Sequence, residues 1–83
     1  MHAKVTVYPR PEILDPQGKA IAGALARLGF GEVLQVRAGK SFDVELDAED
    51  PATAHDRLEA MCDALLVNAL VEDYSIELVD GEQ

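Results

Sequence analysis

The chain has 83 residues, of which 48% are hydrophobic and 5% aromatic, with seven basic and sixteen acidic side chains for a net charge of −9. That length supports a single domain, 1–83, near the lower size at which one core suffices, so self-association is expected. The charge is lopsided: residues 1–40 carry six basic and three acidic groups (+3) and residues 41–83 one and thirteen (−12), a balance that repels nucleic-acid phosphates and suits oriented protein contacts.

From Ala3 to Tyr8, apolar Ala3, Val5 and Val7 alternate with Lys4, Thr6 and Tyr8, the period of a half-buried strand, which Pro9 and Pro11 end. Asp15-Pro16 places a capping side chain before a proline suited to the first helical position, and Ile21, Leu25 and Leu28 recur at helical spacing up to Gly29-Phe30. The first helix is therefore expected over Pro16 to Leu28. Leu34, Val36 and Ala38, then Phe42, Val44 and Leu46, alternate with polar residues on either side of Gly39-Lys40, which predicts a two-strand hairpin. Asp50-Pro51 repeats the helix opening; Ala54, Leu58, Met61, Cys62 and Leu65 form one stripe, predicting a second helix to about Leu66. Tyr74, Ile76 and Leu78 mark a last strand before the polar tail Gly81-Glu82-Gln83.

This β-α-β-β-α-β order predicts an α+β, ferredoxin-like two-layer sandwich: a four-stranded antiparallel sheet in the order 4-1-3-2 with both helices on one face. Lys4, Thr6, Tyr8, Gln35, Arg37, Asp43, Glu45 and Glu77 would occupy the open face. The second strand, Val33 to Ala38, would be an edge with Arg37 as its one charge, a template for pairing with another chain. Dimerisation is expected there.

No apolar run approaches the ~20 residues of a membrane span, and the start lacks a signal-peptide core, so a soluble cytoplasmic protein is expected, without membrane or nucleic-acid partners. A lone cysteine, Cys62, excludes an internal disulfide and suits a reducing compartment. Ala38-Gly39-Lys40-Ser41 imitates the end of a phosphate-binding loop, but Leu34 stands where that loop needs glycine and a strand follows instead of a helix. The helix start at Asp15 to Lys19 is occupied by its own capping carboxylate. His2 and His55 have no nucleophile to activate, and His55, Asp56 and Glu59 would make at most a weak metal site. The carboxylates from Asp43 to Asp50 form a solvated acidic face, and the chain lacks the paired aromatics that stack RNA bases. No catalytic residues and no metal site emerge.

The run Pro11-Glu12-Ile13-Leu14-Asp15-Pro16-Gln17-Gly18-Lys19-Ala20 resembles the signature of the PurS family. Leu28-Gly29-Phe30, Val36-Arg37-Ala38-Gly39-Lys40, Met61-Cys62, Leu65-Leu66-Val67-Asn68 and Glu72-Asp73-Tyr74 follow in order, with a departure at Ala69, where the family often has proline. The resemblance implies a non-catalytic subunit, a homodimer or dimer of dimers, that joins a glutaminase and a larger ATP-dependent synthetase in phosphoribosylformylglycinamidine synthase. That complex turns formylglycinamide ribonucleotide, glutamine and ATP into the amidine. This chain would bind no cofactor, ATP and Mg being used by the synthetase, and would support ammonia transfer between the two partners. Gln17, Lys19, Arg37, Lys40, Asn68 and Tyr74, the polar or amphipathic members of the matching blocks, are the expected contact residues. The alternative on the same topology is a small-molecule-sensing regulatory module, which fold alone does not separate from the subunit.

Overall fold

Period-two burial places Ala3, Val5 and Val7 at the centre of the protein, on the middle strand of a sheet. The structure is a computed structural model that describes residues 1–13 and 15–79; Leu14 of the quoted signature and the tail Gly81-Glu82-Gln83 lie outside the described residues. The elements are β1 (His2–Pro9), α1 (Pro16–Arg27), β2 (Lys40–Glu45), α2 (Pro51–Met61), a π-helical turn (Cys62–Leu66) and β3 (Glu72–Val79). Antiparallel β2 and β3 flank β1, with His2 opposite Glu45 and Val79, and Val7 opposite Lys40 and Tyr74.

α2 covers one face of this sheet. Asp50 caps it by accepting a hydrogen bond from the Thr53 N–H at 2.7 Å, and Pro51 opens its first turn. Ala54, Leu58 and Cys62 are fully buried with Val5 and Val7, and Phe42, Val44, Leu66, Ile76 and Leu78 close the rim of the core. After Met61 the Val67 N–H donates to the Cys62 carbonyl, five residues back, at 3.1 Å. This wider turn shifts the helical phase. Leu66 packs on the core, whereas Leu65, expected on the apolar stripe, is 84% exposed.

The predicted four-stranded sheet is corrected to three strands, with one helix, not two, on the sheet. A tight hairpin at Gly39-Lys40 would need left-handed backbone, yet Gly29 (φ 103°) is the one residue with positive φ among those described. Instead Lys40 and Ser41 already pair with Val7 and Thr6, so the chain enters β2 without reversing and residues 33–39 form no strand. α1 packs on neither α2 nor any strand. Its ends are formed as expected: Asp15 accepts from the Gly18 N–H at 3.0 Å, and at the other end Phe30 N–H donates to Leu25 and Gly29 N–H to Ala26, a left-handed cap for which Gly29 supplies the backbone.

α1 leans on the segment 36–38. A Cβ added to Gly18 would lie 2.2 Å from the Val36 carbonyl oxygen, so backbone meets backbone there. The protein is consequently elongated, 49 × 31 × 14 Å, with a radius of gyration of 16.1 Å against about 12 Å for a compact chain of this length. On the far face of the sheet Lys4 stands opposite Asp43 and Glu77, and His2 Nε2 lies 3.8 Å from a Glu45 oxygen, the polar open face expected for these residues.

Candidate functional site

The end of β1 is where α1, the segment 33–39 and the turn before β3 converge. Arg37 reaches back to donate to the Pro9 carbonyl, with its guanidinium carbon 5.1 Å from the centre of the Tyr8 ring. From the opposite side Arg10 donates to the Ala69 carbonyl, and its Nε lies 3.5 Å from an Asp73 oxygen. Its backbone N–H adds a bond to Val71 at 2.8 Å. Two arginines thus tie the segments before β2 and β3 to the end of β1.

Asn68 organises the turn into β3. Its carbonyl accepts from Val71 and Glu72, its side-chain oxygen accepts from Leu70 at 3.2 Å, and its N–H donates to the Glu72 carboxylate at 2.8 Å. The other Glu72 oxygen is 3.9 Å from Lys40 Nζ, so one carboxylate links this turn to β2. The turn therefore closes with alanine, not proline, at position 69. Asp15 forms the matching link on α1, with one oxygen on Gly18 N–H and the other on Ala38 N–H at 2.9 Å. Those two backbone donors hold its carboxyl below the usual carboxylate range.

All six residues expected as contacts gather here. Lys19 and Arg37 line an open groove of about 370 Å³ beside Arg10, Ile13 and Leu34. Gln17 and Lys40 line a second, of about 340 Å³, with Asp15 and Glu72; Tyr74 lines a shallower one with Tyr8 and Arg37; Asn68 holds Glu72 from behind. Sequence reasoning missed Tyr8, Arg10, Glu72 and Asp73 as members of the cluster. Arg10 meets Ala69 across 59 residues of chain, and the pairs Tyr8–Arg37 and Lys40–Glu72 also join separate elements, contacts of which local pattern carries no signal.

The arrangement offers surface rather than bond chemistry. Arg10, Arg37 and Lys40 face carbonyls or carboxylates of the chain itself, and among the described residues no nucleophile stands beside a base. Cys62 is buried, and burial together with Asp63 and Glu59 pushes its thiol up, away from the reactive thiolate. Burial first, then Asp63, likewise raises the Tyr74 hydroxyl. His55, Asp56 and Glu59 bring ligand atoms within 4.8 Å of one another, but His55 Nδ1 to Glu59 at 3.9 Å is an ordinary pair one helical turn apart. No phosphate-binding loop exists at Gly39, where the chain continues extended into β2.

The family model for PurS, phosphoribosylformylglycinamidine (FGAM) synthase, matches residues 2–80. The chain is 44% identical over 77 residues to the FGAM synthase subunit PurS of Synechocystis sp., covering 93% of this chain and 77% of that one. It is 46% identical over 74 residues to the PurS subunit of Mycobacterium leprae, covering 89% and 90%. Among solved structures, it superposes on Methanocaldococcus jannaschii PurS, one of the subunits of formylglycinamide ribonucleotide amidotransferase, with a TM-score of 0.89, 32% identity and 98% coverage of both chains. A chain of the PurLQS structure from Thermotoga maritima matches with a TM-score of 0.81 and 32% identity over 93% of this chain and 96% of that one. With the signature blocks, the fold and these matches in agreement over nearly the whole length, the chain belongs to the PurS family, a subunit of FGAM synthase in purine biosynthesis.

Proposed function

We propose that this chain is the coupling subunit of its complex: it holds the glutaminase against the ATP-dependent synthetase and performs no bond-making itself. The observation that carries this reading is the end of β1, where hydrogen bonds and an ion pair hold Arg37, Lys40 and Asn68, Gln17, Lys19 and Tyr74 line the adjoining open grooves, and no activated group stands among these six. Ammonia released by one active site is lost to water unless the second is held in register with it, and holding requires complementary surfaces rather than nucleophiles. ATP and Mg act in the synthetase on this reading, and the protein works in the cytoplasm. Among the described residues no helix is long and apolar enough to cross a membrane.

Gln17, Lys19, Arg37, Lys40, Asn68 and Tyr74 are the proposed contacts with the partner subunits. Lys19 and Lys40 carry exposed charges, so Lys19→Glu with Lys40→Glu should weaken co-sedimentation with the glutaminase and synthetase subunits by about tenfold or more while the fold is kept. Unchanged affinity of this folded variant for both partners would remove the cluster from the interface.

A further inference from the structure

α1 stands off the sheet and is fastened to the rest of the protein at its first turn. It packs on no other helix and on no strand, and Gly18 is the one buried residue among its twelve. There Asp15 accepts from the Gly18 N–H at 3.0 Å with one oxygen and from the Ala38 N–H at 2.9 Å with the other. Gly18 lies so near the Val36 carbonyl oxygen that an added Cβ would come within 2.2 Å of it. Among the described residues no other hydrogen bond links this helix or its cap to a distant segment. A helix of this length measures about 18 Å, so a tilt of about 10° at the fastening would move its far end by about 3 Å.

The same fastening sets the width of the two larger grooves, and Asp15 borders both. Lys19 lines the first from α1 and Arg37 lines it from the segment before β2; Gln17 and Lys40 line the second from the same two sides. The β2 side is held independently, by Arg37 on the Pro9 carbonyl and Lys40 beside Glu72. The α1 side depends on Asp15. The N–H groups of Gly18 and Ala38 hold its carboxyl below the usual range, so both oxygens remain acceptors at neutral pH. Asp50 makes the corresponding cap on α2 with the Thr53 N–H, but that helix is placed by its buried Ala54 and Leu58 and needs no such bridge.

We infer that Asp15 is a positioning residue for the coupled reaction: its bridge from Gly18 to Ala38 sets the walls of the contact grooves at the separation the partner subunits take. The inference rests on the coupling role proposed above. Asp15→Asn and Asp15→Ser test it, because asparagine and serine still cap a helix but offer one acceptor oxygen, which serves Gly18 and leaves Ala38 without a partner. Asp50→Asn is the control, a cap changed in the same way with no bridge to lose. Amidine formation by the purified glutaminase and synthetase subunits is measured with each variant added to saturation, where a chain that is merely less stable recovers the full rate. The expected result is a fall of about threefold to tenfold in the glutamine-supported rate relative to the ammonia-supported one for both Asp15 variants, and none for Asp50→Asn. Hydrogen exchange at the Ala38 amide should quicken in the Asp15 variants while helix content is kept. Native coupling by the Asp15 variants, an equal loss in Asp50→Asn, or unchanged exchange at Ala38 overturns this inference alone. A native chain that neither donor requires overturns the coupling role and this inference with it.

Discussion

Asp15 shows how much one side chain does at the start of α1. The sequence marks it as a cap, and it is one, but its second oxygen also holds the Ala38 N–H and fastens the helix to the segment leading into β2. Nothing local to Asp15 announces a partner 23 residues away. Asp15 and Asp50 both have carboxyls lowered below 3.8, the first by Gly18 and Ala38 N–H, the second by the Thr53 side chain and N–H. A carboxyl lowered by folding stabilises the fold above its unfolded value and loses that contribution as pH falls through the folded one. Thermal melts from pH 6 to pH 2 should thus show a smaller acid-induced drop for Asp15→Asn with Asp50→Asn than for the native chain; equal drops would mean these caps contribute nothing. Two glycines of α1 give opposite signs. Gly23→Ala meets only the end of Arg27 at 3.5 Å and should stabilise by about 0.5–1 kcal/mol, whereas Gly18→Ala drives a methyl into the Val36 carbonyl and should destabilise by about 1–3 kcal/mol in chemical denaturation.

At the scale of elements, what local pattern carries was legible and what distance decides was not. Both helix starts follow Asp-Pro, and the Leu28-Gly29-Phe30 stop forms the expected left-handed cap. The stripe on the second helix holds through Cys62 and fails at Leu65, because a 3.6-residue period assumes that every turn has the same width and the turn at Cys62–Leu66 is wider. Leu58→Ala, a fully buried change, should destabilise by about 2–5 kcal/mol, while Leu65→Ser in the same helical run should stay within about 0.5 kcal/mol in the isolated chain. Equal penalties would place Leu65 back in the core. The missing hairpin has a similar origin: Leu34, Val36 and Ala38 do alternate as a strand does, but period two specifies an extended chain and leaves open which edge it joins.

For the molecule as a whole, the family was legible in the sequence, in ordered blocks that run from Pro11 to Tyr74, and the reason for its shape was not. The family blocks pointed to six contact residues; Gln17, Lys19, Arg37, Lys40, Asn68 and Tyr74 are scattered over 58 positions of the chain and meet because Arg10, Arg37 and Glu72 tie three segments to the end of β1. The elongated form, with α1 away from the sheet, is what a chain looks like when part of its stability is deferred to assembly. The most direct test of the coupling role is amidine formation by the purified glutaminase and synthetase subunits, with and without this chain, using either glutamine or free ammonia as nitrogen donor. A strong requirement for the chain with glutamine and a weak one with ammonia is the predicted result; no requirement with either donor would contradict the account.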